Sequence, residues 1–250
     1  MNKVMKIAII TPYCKESVDQ IKECHLSVIS QKVDADITHF LIADGFPLDE
    51  INSWDAKHII LSDCHNDFGN TPRGIGGLLA DTEGYDFISY LDADNWFHEN
   101  HLNSMLEEWV KNKNPIICCF RSFHKVNGEE LLINESDENA LMHVDTSCFL
   151  INRISFDILD IWLKTPKKLC GICDRVFYAA IKWKEYKISF TKKRSVAYRT
   201  RYKIHYKNQD TSNLDLKSTD EIRKSFEYLI TSEGISDCIN SIKFWPKTYL

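Results

Sequence analysis

The sequence predicts an α/β fold: one doubly wound, mainly parallel sheet, then a smaller mixed region and a C-terminal helical, partly basic tail. Three observations point there. Short β-rich apolar runs alternate with segments of helical spacing through the first half of the chain. Each run stops at turn or acidic residues, Thr11-Pro12, Asp44-Gly45 and Asp92-Ala93-Asp94. At 250 residues and 44% hydrophobic content, the chain is long enough for one large core of this kind.

The elements follow in order. Lys6 to Thr11 is a strand around Ile7-Ala8-Ile9-Ile10, stopped by Pro12. Ser17 to Gln31 carries Val18, Ile21, Cys24, Leu26, Val28 and Ile29 at roughly helical spacing. Ile37 to Ala43 is a second strand and Lys57 to Leu61 a third. Asn66 to Gly77 reads as a glycine-rich loop, with a helix opening over Ile75 to Ala80. Tyr85 to Leu91 is a buried fourth strand, and His98 to Lys111 a helix with Leu102, Met105, Leu106, Trp109 and Val110 on its apolar face. Beyond it, Pro115 to Arg121 and Cys148 to Ile151 read as strands. Asn127-Gly128 marks a hairpin between Phe120–Phe123 and Leu131–Ile133. Asp174 to Lys184 and Thr219 to Leu229 complete the helices.

Composition narrows the function classes. A net charge of −5 argues against general nucleic-acid binding. No run approaches the ~20 apolar residues of a membrane span. The N-terminus runs straight into a strand with no export-signal pattern, so a cytoplasmic protein is the expectation. Nine cysteines, an odd number, are then expected as reduced thiols. Cys170-Gly171-Ile172-Cys173 has redox or half-zinc spacing, but no second ligand pair stands near it in sequence. Residues 182–207 hold ten Lys or Arg against one acidic residue, interleaved with aromatic side chains. Such a run suits phosphates or an anionic membrane surface, and equally a solvated face.

Asp92-Ala93-Asp94 carries the most chemistry. Two carboxylates follow a buried strand, at the end of a parallel sheet where ligands collect. Hard cations such as Mg²⁺ or Mn²⁺ are held by one or two carboxylates plus substrate phosphates, so the pair fits a metal that grips a diphosphate. A polar loop after a strand would read the same way.

Thr11-Pro12-Tyr13, Asp44-Gly45, Gly69-Asn70-Thr71-Pro72-Arg73-Gly74 and Asp92-Ala93-Asp94 stand in this order, and together they resemble glycosyltransferase family 2, whose members have the GT-A fold. The resemblance runs from about Lys6 to Tyr206 and is more specific in its first half. It implies a catalytic domain over 1–210, with a nucleotide-binding half (1–112) and an acceptor-binding half (113–210), and a helical extension over 211–250. It implies transfer of a sugar from a nucleotide diphosphate sugar, a UDP-sugar favoured, with Mn²⁺ or Mg²⁺ as cofactor. The implied acceptor is a saccharide or lipid-linked saccharide, which would put the protein at the inner face of the membrane. Thr11, Pro12, Tyr13 and Glu16 then resemble the first donor loop, and Asp44 the acidic residue that reads the base. Asn70, Arg73 and Gly74 resemble the loop facing the nucleotide. Gly74, Gly76 and Gly77 would permit close backbone approach. Asp94 resembles the metal ligand, Asp92 a ligand to ribose or metal, and Ala93 lies between them. Asp174 resembles the general base, although Cys173 stands where an acidic residue often does. Trp96, Asp145 and Cys173 would border the acceptor, and His205 would complete the metal shell. A nucleotidyltransferase on a related sheet is the rival enzyme; it would need a glycine-rich loop after the first strand, where this chain has Pro12-Tyr13-Cys14. A catalytically inactive nucleotide-sugar-binding module and a retaining transferase also remain open.

Overall fold

The computed structural model describes residues 4–133, 143–206, 211 and 214–250. The first half is the parallel layer that the sequence predicts. β1 (Lys6–Tyr13), β2 (Asp36–Asp44), β3 (Lys57–Leu61) and β4 (Phe87–Tyr90) stand in the order β3-β2-β1-β4, all parallel. Ile7, Ile9 and Ile10 of β1 and Phe40 and Ile42 of β2 are fully buried, the signature of a strand covered on both faces. α1 (Val18–Ile29) starts on a capping box in which Ser17 and Gln20 satisfy each other's backbone N–H groups.

Beyond β4 the sheet becomes mixed and curls. β8 (Phe149–Asn152) pairs antiparallel with β4, and β6 (Ile116–His124) antiparallel with β8. β9 (Ile188–Arg199) then runs parallel to β6, and β5 (Trp96–Phe97) closes the edge against β9. The predicted hairpin is present: Gly128 sits at φ 90° and β7 (Glu130–Leu131) pairs back onto β6.

Two sequence expectations change. α2 begins at Asn70 and runs to Thr82, so the predicted glycine-rich loop is mostly helix. Gly69 in the left-handed region starts it, and Asp67 accepts hydrogen bonds from the Thr71 backbone and hydroxyl. The glycines therefore serve packing rather than close approach to a ligand. A Cβ at Gly74 would lie 2.4 Å from Leu163, and one at Gly76 2.6 Å from Ile42 and 2.8 Å from Ile10. The basic run, in turn, contains a full strand. In β9 Arg199 is buried, Arg194 donates to the carbonyls of Arg121 and Ile133, and Lys192 and Lys193 are exposed. Its charges are thus divided between interior and surface.

The remaining described helices are α3 (His101–Asn112), α4 (Ile161–Lys164), α5 (Cys173–Trp183), α6 (Asp220–Leu229) and α7 (Ser232–Ser241). Leu229, Cys238, Ile242 and Phe244 belong to the same buried cluster as Ile7, Phe149 and Phe177, so the C-terminal segment shares the main core. No helix among the described residues is long and apolar enough to cross a membrane.

Candidate active site

Two cavities open side by side at the carboxyl edge of the parallel strands, where the topology switches from parallel to mixed. The larger, about 750 Å³, is lined by Pro12, Tyr13, Cys14 and Glu16 after β1, Asp44 at the end of β2, the loop 66–69, and Asp92, Ala93 and Asp94 after β4. The smaller, about 380 Å³, is lined by Arg121, His143, Asp145, Cys173, Asp174, Tyr202 and His205, among others. Phe68, Arg73 and Asp92 line both and form the wall between them.

Arg73 is the centre of that wall. It sits in the first turn of α2, with its side chain 6% exposed. One guanidinium nitrogen donates to Asp92 Oδ1 at 2.5 Å and the other to the Phe68 carbonyl at 2.7 Å. Its plane lies over the Trp162 ring. Burial opposes its charge, and Asp92 more than restores it. Arg73 thus fixes Asp92 and the loop 66–69 at once. That loop carries backbone strain: Asn66 and Phe68 both have positive φ, 49° and 60°, and the Phe68 ring is exposed against both cavities.

The acidic turn is held from behind. Asn95 N–H donates to the Asp92 carbonyl, Asp92 N–H donates to Ser147 Oγ, and Arg199 donates to the Asp94 carbonyl at 2.8 Å. Arg199 also pairs with Glu23 at 2.8 Å. The Asp94 carboxyl itself is pushed up to about 7, first by burial and then by the charges of Asp92 and Glu16. Hard carboxylate oxygens facing a cavity are the donor type that Mg²⁺ or Mn²⁺ takes. Asp94 faces the larger cavity, His205 the smaller, and Asp92 both.

In the smaller cavity, Asp174 lies in the first turn of α5 and bonds His143 Nε2 through Oδ2 at 2.5 Å. Its other oxygen accepts the Arg175 N–H at 2.7 Å. Burial would raise this carboxyl, but His143 and then Arg175 outweigh it and hold it well below the usual carboxylate range. Asp145 caps the Ser147 N–H and pairs with Arg121 at 2.7 Å, both nearly buried. Burial raises Asp145 despite Arg121, with Asp92 and Asp174 adding to the shift. His205 Nδ1 shares a 2.6 Å hydrogen bond with Thr200 Oγ1. Burial pushes the Cys173 thiol up.

Most of the sequence candidates converge on these cavities, and four do not line them. Thr11 is buried and hydrogen-bonded to His39 at 2.8 Å. Asn70 is buried, with its amide directed at Cys170. Gly74 packs on Leu163. Trp96, expected as an apolar wall for the sugar, belongs to edge strand β5 and is occupied by the Arg199 guanidinium and the His124 ring. The exposed aromatic ring at the cavities is that of Phe68. Arg199, within the basic stretch 194–203 expected to share the charge of the leaving diphosphate, instead holds the Asp94 carbonyl and Glu23. Sequence reasoning also missed His143 and Arg121, and it missed the segment from Lys217 to Ile222, which lines both cavities from the far end of the chain. None of these carries a local motif; only tertiary proximity marks them.

Solved structures of similar fold are known. The S. aureus TarS 1–349 structure superposes with a TM-score of 0.59 at 17% identity, covering 94% of this chain and 72% of that one. TarS 1–349 in complex with UDP-GlcNAc gives 0.57 at 15% identity, covering 94% and 73%, and the complex with UDP gives 0.58 at 16%. The fold is GT-A-like. No protein-family model and no curated protein matches the sequence.

Proposed function

We propose that this chain is a metal-dependent, inverting glycosyltransferase of the family 2 type. In this reading it moves a sugar from a nucleotide diphosphate sugar, a UDP-sugar favoured, to an acceptor hydroxyl. The observation that carries it is the meeting of two cavities at Arg73, Asp92 and Phe68, one floored by the acidic turn and the other by Asp174. A transferase with two substrates needs such a junction, because the reacting atoms must come within ~3.5 Å. The binding of UDP and UDP-GlcNAc by the structurally similar TarS supports the donor class.

The larger cavity takes the donor. Asp44 lies at its base end and is oriented by the His65 N–H and Nδ1 at 3.1 and 2.6 Å; it accepts the ring N–H of a pyrimidine. Mn²⁺ or Mg²⁺ would be held by Asp94 and Asp92 together with the donor's phosphates; His205, expected to complete the shell, lines the smaller cavity and does not group with them among the described residues. Such an ion would supply neutralisation of the charge developing on the leaving diphosphate. Arg73 holds Asp92 in place, and Phe68 supplies the apolar surface against the sugar that was expected of Trp96.

The smaller cavity takes a saccharide or lipid-linked saccharide acceptor, with Asp145 and Cys173 on its border. Both Asp174 oxygens are engaged, and its affinity for protons is low, so it serves as base together with His143. His143, bonded to Asp174 through Nε2, would take the acceptor proton at Nδ1 as the acceptor oxygen attacks the anomeric carbon. The bond to the diphosphate breaks with its electron pair on the leaving group, and the anomeric centre inverts. The exposed lysines of β9 are suited to peripheral contact at the inner face of the membrane, where a lipid-linked acceptor would reside.

The deciding experiment is a panel of nucleotide sugars with and without Mn²⁺, read by thermal shift and by nucleotide release. A UDP-sugar that stabilises the protein with metal and releases UDP is expected. Pyrophosphate release would identify a nucleotidyltransferase instead, and binding without turnover over many acceptors a binding module. Asp174→Asn and His143→Gln should each bind donor nearly normally and lose ~10²–10⁴-fold in transfer rate; near-native transfer by either would remove that residue from the reaction.

A further inference from the structure

Three neighbouring parallel strands deliver one potential ligand each to the base end of the larger cavity. Cys14 follows β1, Asp44 ends β2 and Cys64 follows β3. They are far apart in sequence, yet their ligand atoms all lie within 4.8 Å of one another, the compact group of this kind among the described residues. We propose that Cys14, Cys64 and Asp44 form a binding site for a thiophilic divalent cation of the zinc class, separate from the acidic turn after β4.

The spacing supports it. Two thiolates about 2.3 Å from a tetrahedral zinc stand about 3.8 Å apart, and a thiolate and a carboxylate oxygen on the same ion about 3.6 Å. The two sulfurs are 3.7 Å apart, and Cys64 Sγ lies 4.0 Å from Asp44 Oδ2. Asp44 is buried and fixed through its other oxygen by His65 Nδ1, as an outer-shell partner fixes a metal ligand. The backbone is shaped for the approach: Gly45 sits at φ 80°, and a Cβ there would lie 2.5 Å from the Cys64 nitrogen. Three protein ligands leave the fourth tetrahedral position to water or to a group from the cavity, which Cys14 and Asp44 both line. Soft sulfur ligands select against Mg²⁺ and Mn²⁺, so this site and the acidic turn take different ions. On metal binding the two thiols lose their protons to buffer, with no oxidant or reductant involved.

Cadmium titration of the reduced, metal-stripped full chain tests this. One equivalent bound, with the ultraviolet thiolate-to-cadmium absorption band of two sulfurs, is the expected result. Cys64→Ser, at an exposed position, should lose about half the band and weaken binding at least tenfold; Cys14→Ser with Cys64→Ser should abolish both, and Cys238→Ser should change neither. No band, or a band that survives the double substitution, overturns the proposal. A bound cation would also deny Asp44 to a nucleobase. That consequence rests on the donor-cavity reading above: zinc that binds without displacing UDP would sink that reading of Asp44 while the metal site stood.

Discussion

Asp94 gathers negative charge at a cost in stability. Its carboxyl titrates near 7 in the folded protein, above its ordinary value of 3.8, because of burial, Asp92 and Glu16. The folded state therefore holds this proton more tightly than the unfolded state does. Its contribution is complete at pH below about 4 and is lost as pH rises through about 7. A cation reverses the sign, since it binds only the deprotonated form. The Mn²⁺-induced rise in melting temperature should accordingly be larger at pH 8 than at pH 6, and Asp94→Asn should abolish it while raising the metal-free melting temperature at pH 8. An equal manganese effect at both pH values would refute the assignment. Arg121 and Asp145 present the opposite case, a pair buried together. Arg121→Leu leaves the Asp145 charge without its guanidinium, and about 3–5 kcal/mol of stability should be lost in urea denaturation.

At the scale of elements, α2 shows how a loop-like composition becomes a helix. Gly76 costs conformational entropy, yet it lets α2 lie directly on β1 and β2. Gly76→Ala would drive a methyl into Ile10 and Ile42, neither of which has free space. Overpacking of this kind costs ~1–3 kcal/mol, where the same change at a solvated helix position would stabilise. Chemical denaturation of the single variant distinguishes the two signs. The close seating of α2 brings the Arg73 guanidinium to Asp92, so the glycines act on the site through packing. β9 makes the same point from the other side. Its lysines and arginines suggested a surface, but pairing with β6 and β5 draws Arg199 inward to hold the acidic turn.

For the whole molecule, the C-terminal segment is part of the cavity walls and of the core together. Lys217, Ser218 and Glu221 line the larger cavity, while Leu229 and Phe244 are buried in the main cluster. Removing residues 219–250 should therefore expose core and abolish cooperative unfolding. A separable appendage would instead leave a sharp thermal transition, and calorimetry of the truncated chain decides between them.

The sequence by itself determined the parallel layer and its acidic edge. Local apolar runs fix strands, a turn residue fixes where each one ends, and the edge of a parallel sheet is where ligands collect, so Asp44, Asp92 and Asp94 were legible without coordinates. Only the tertiary structure decided which side chains surround them. The partners of the acidic residues, namely Arg73 for Asp92, Arg199 behind Asp94 and His143 on Asp174, come from elements 19 to 105 residues away in sequence. Their contacts depend on how helices seat on the sheet and how its second half curls. No periodicity or local motif encodes that geometry. The same seating turned Trp96 onto Arg199, placed Phe68 at both cavities, and drew Cys14, Asp44 and Cys64 together from the ends of three strands.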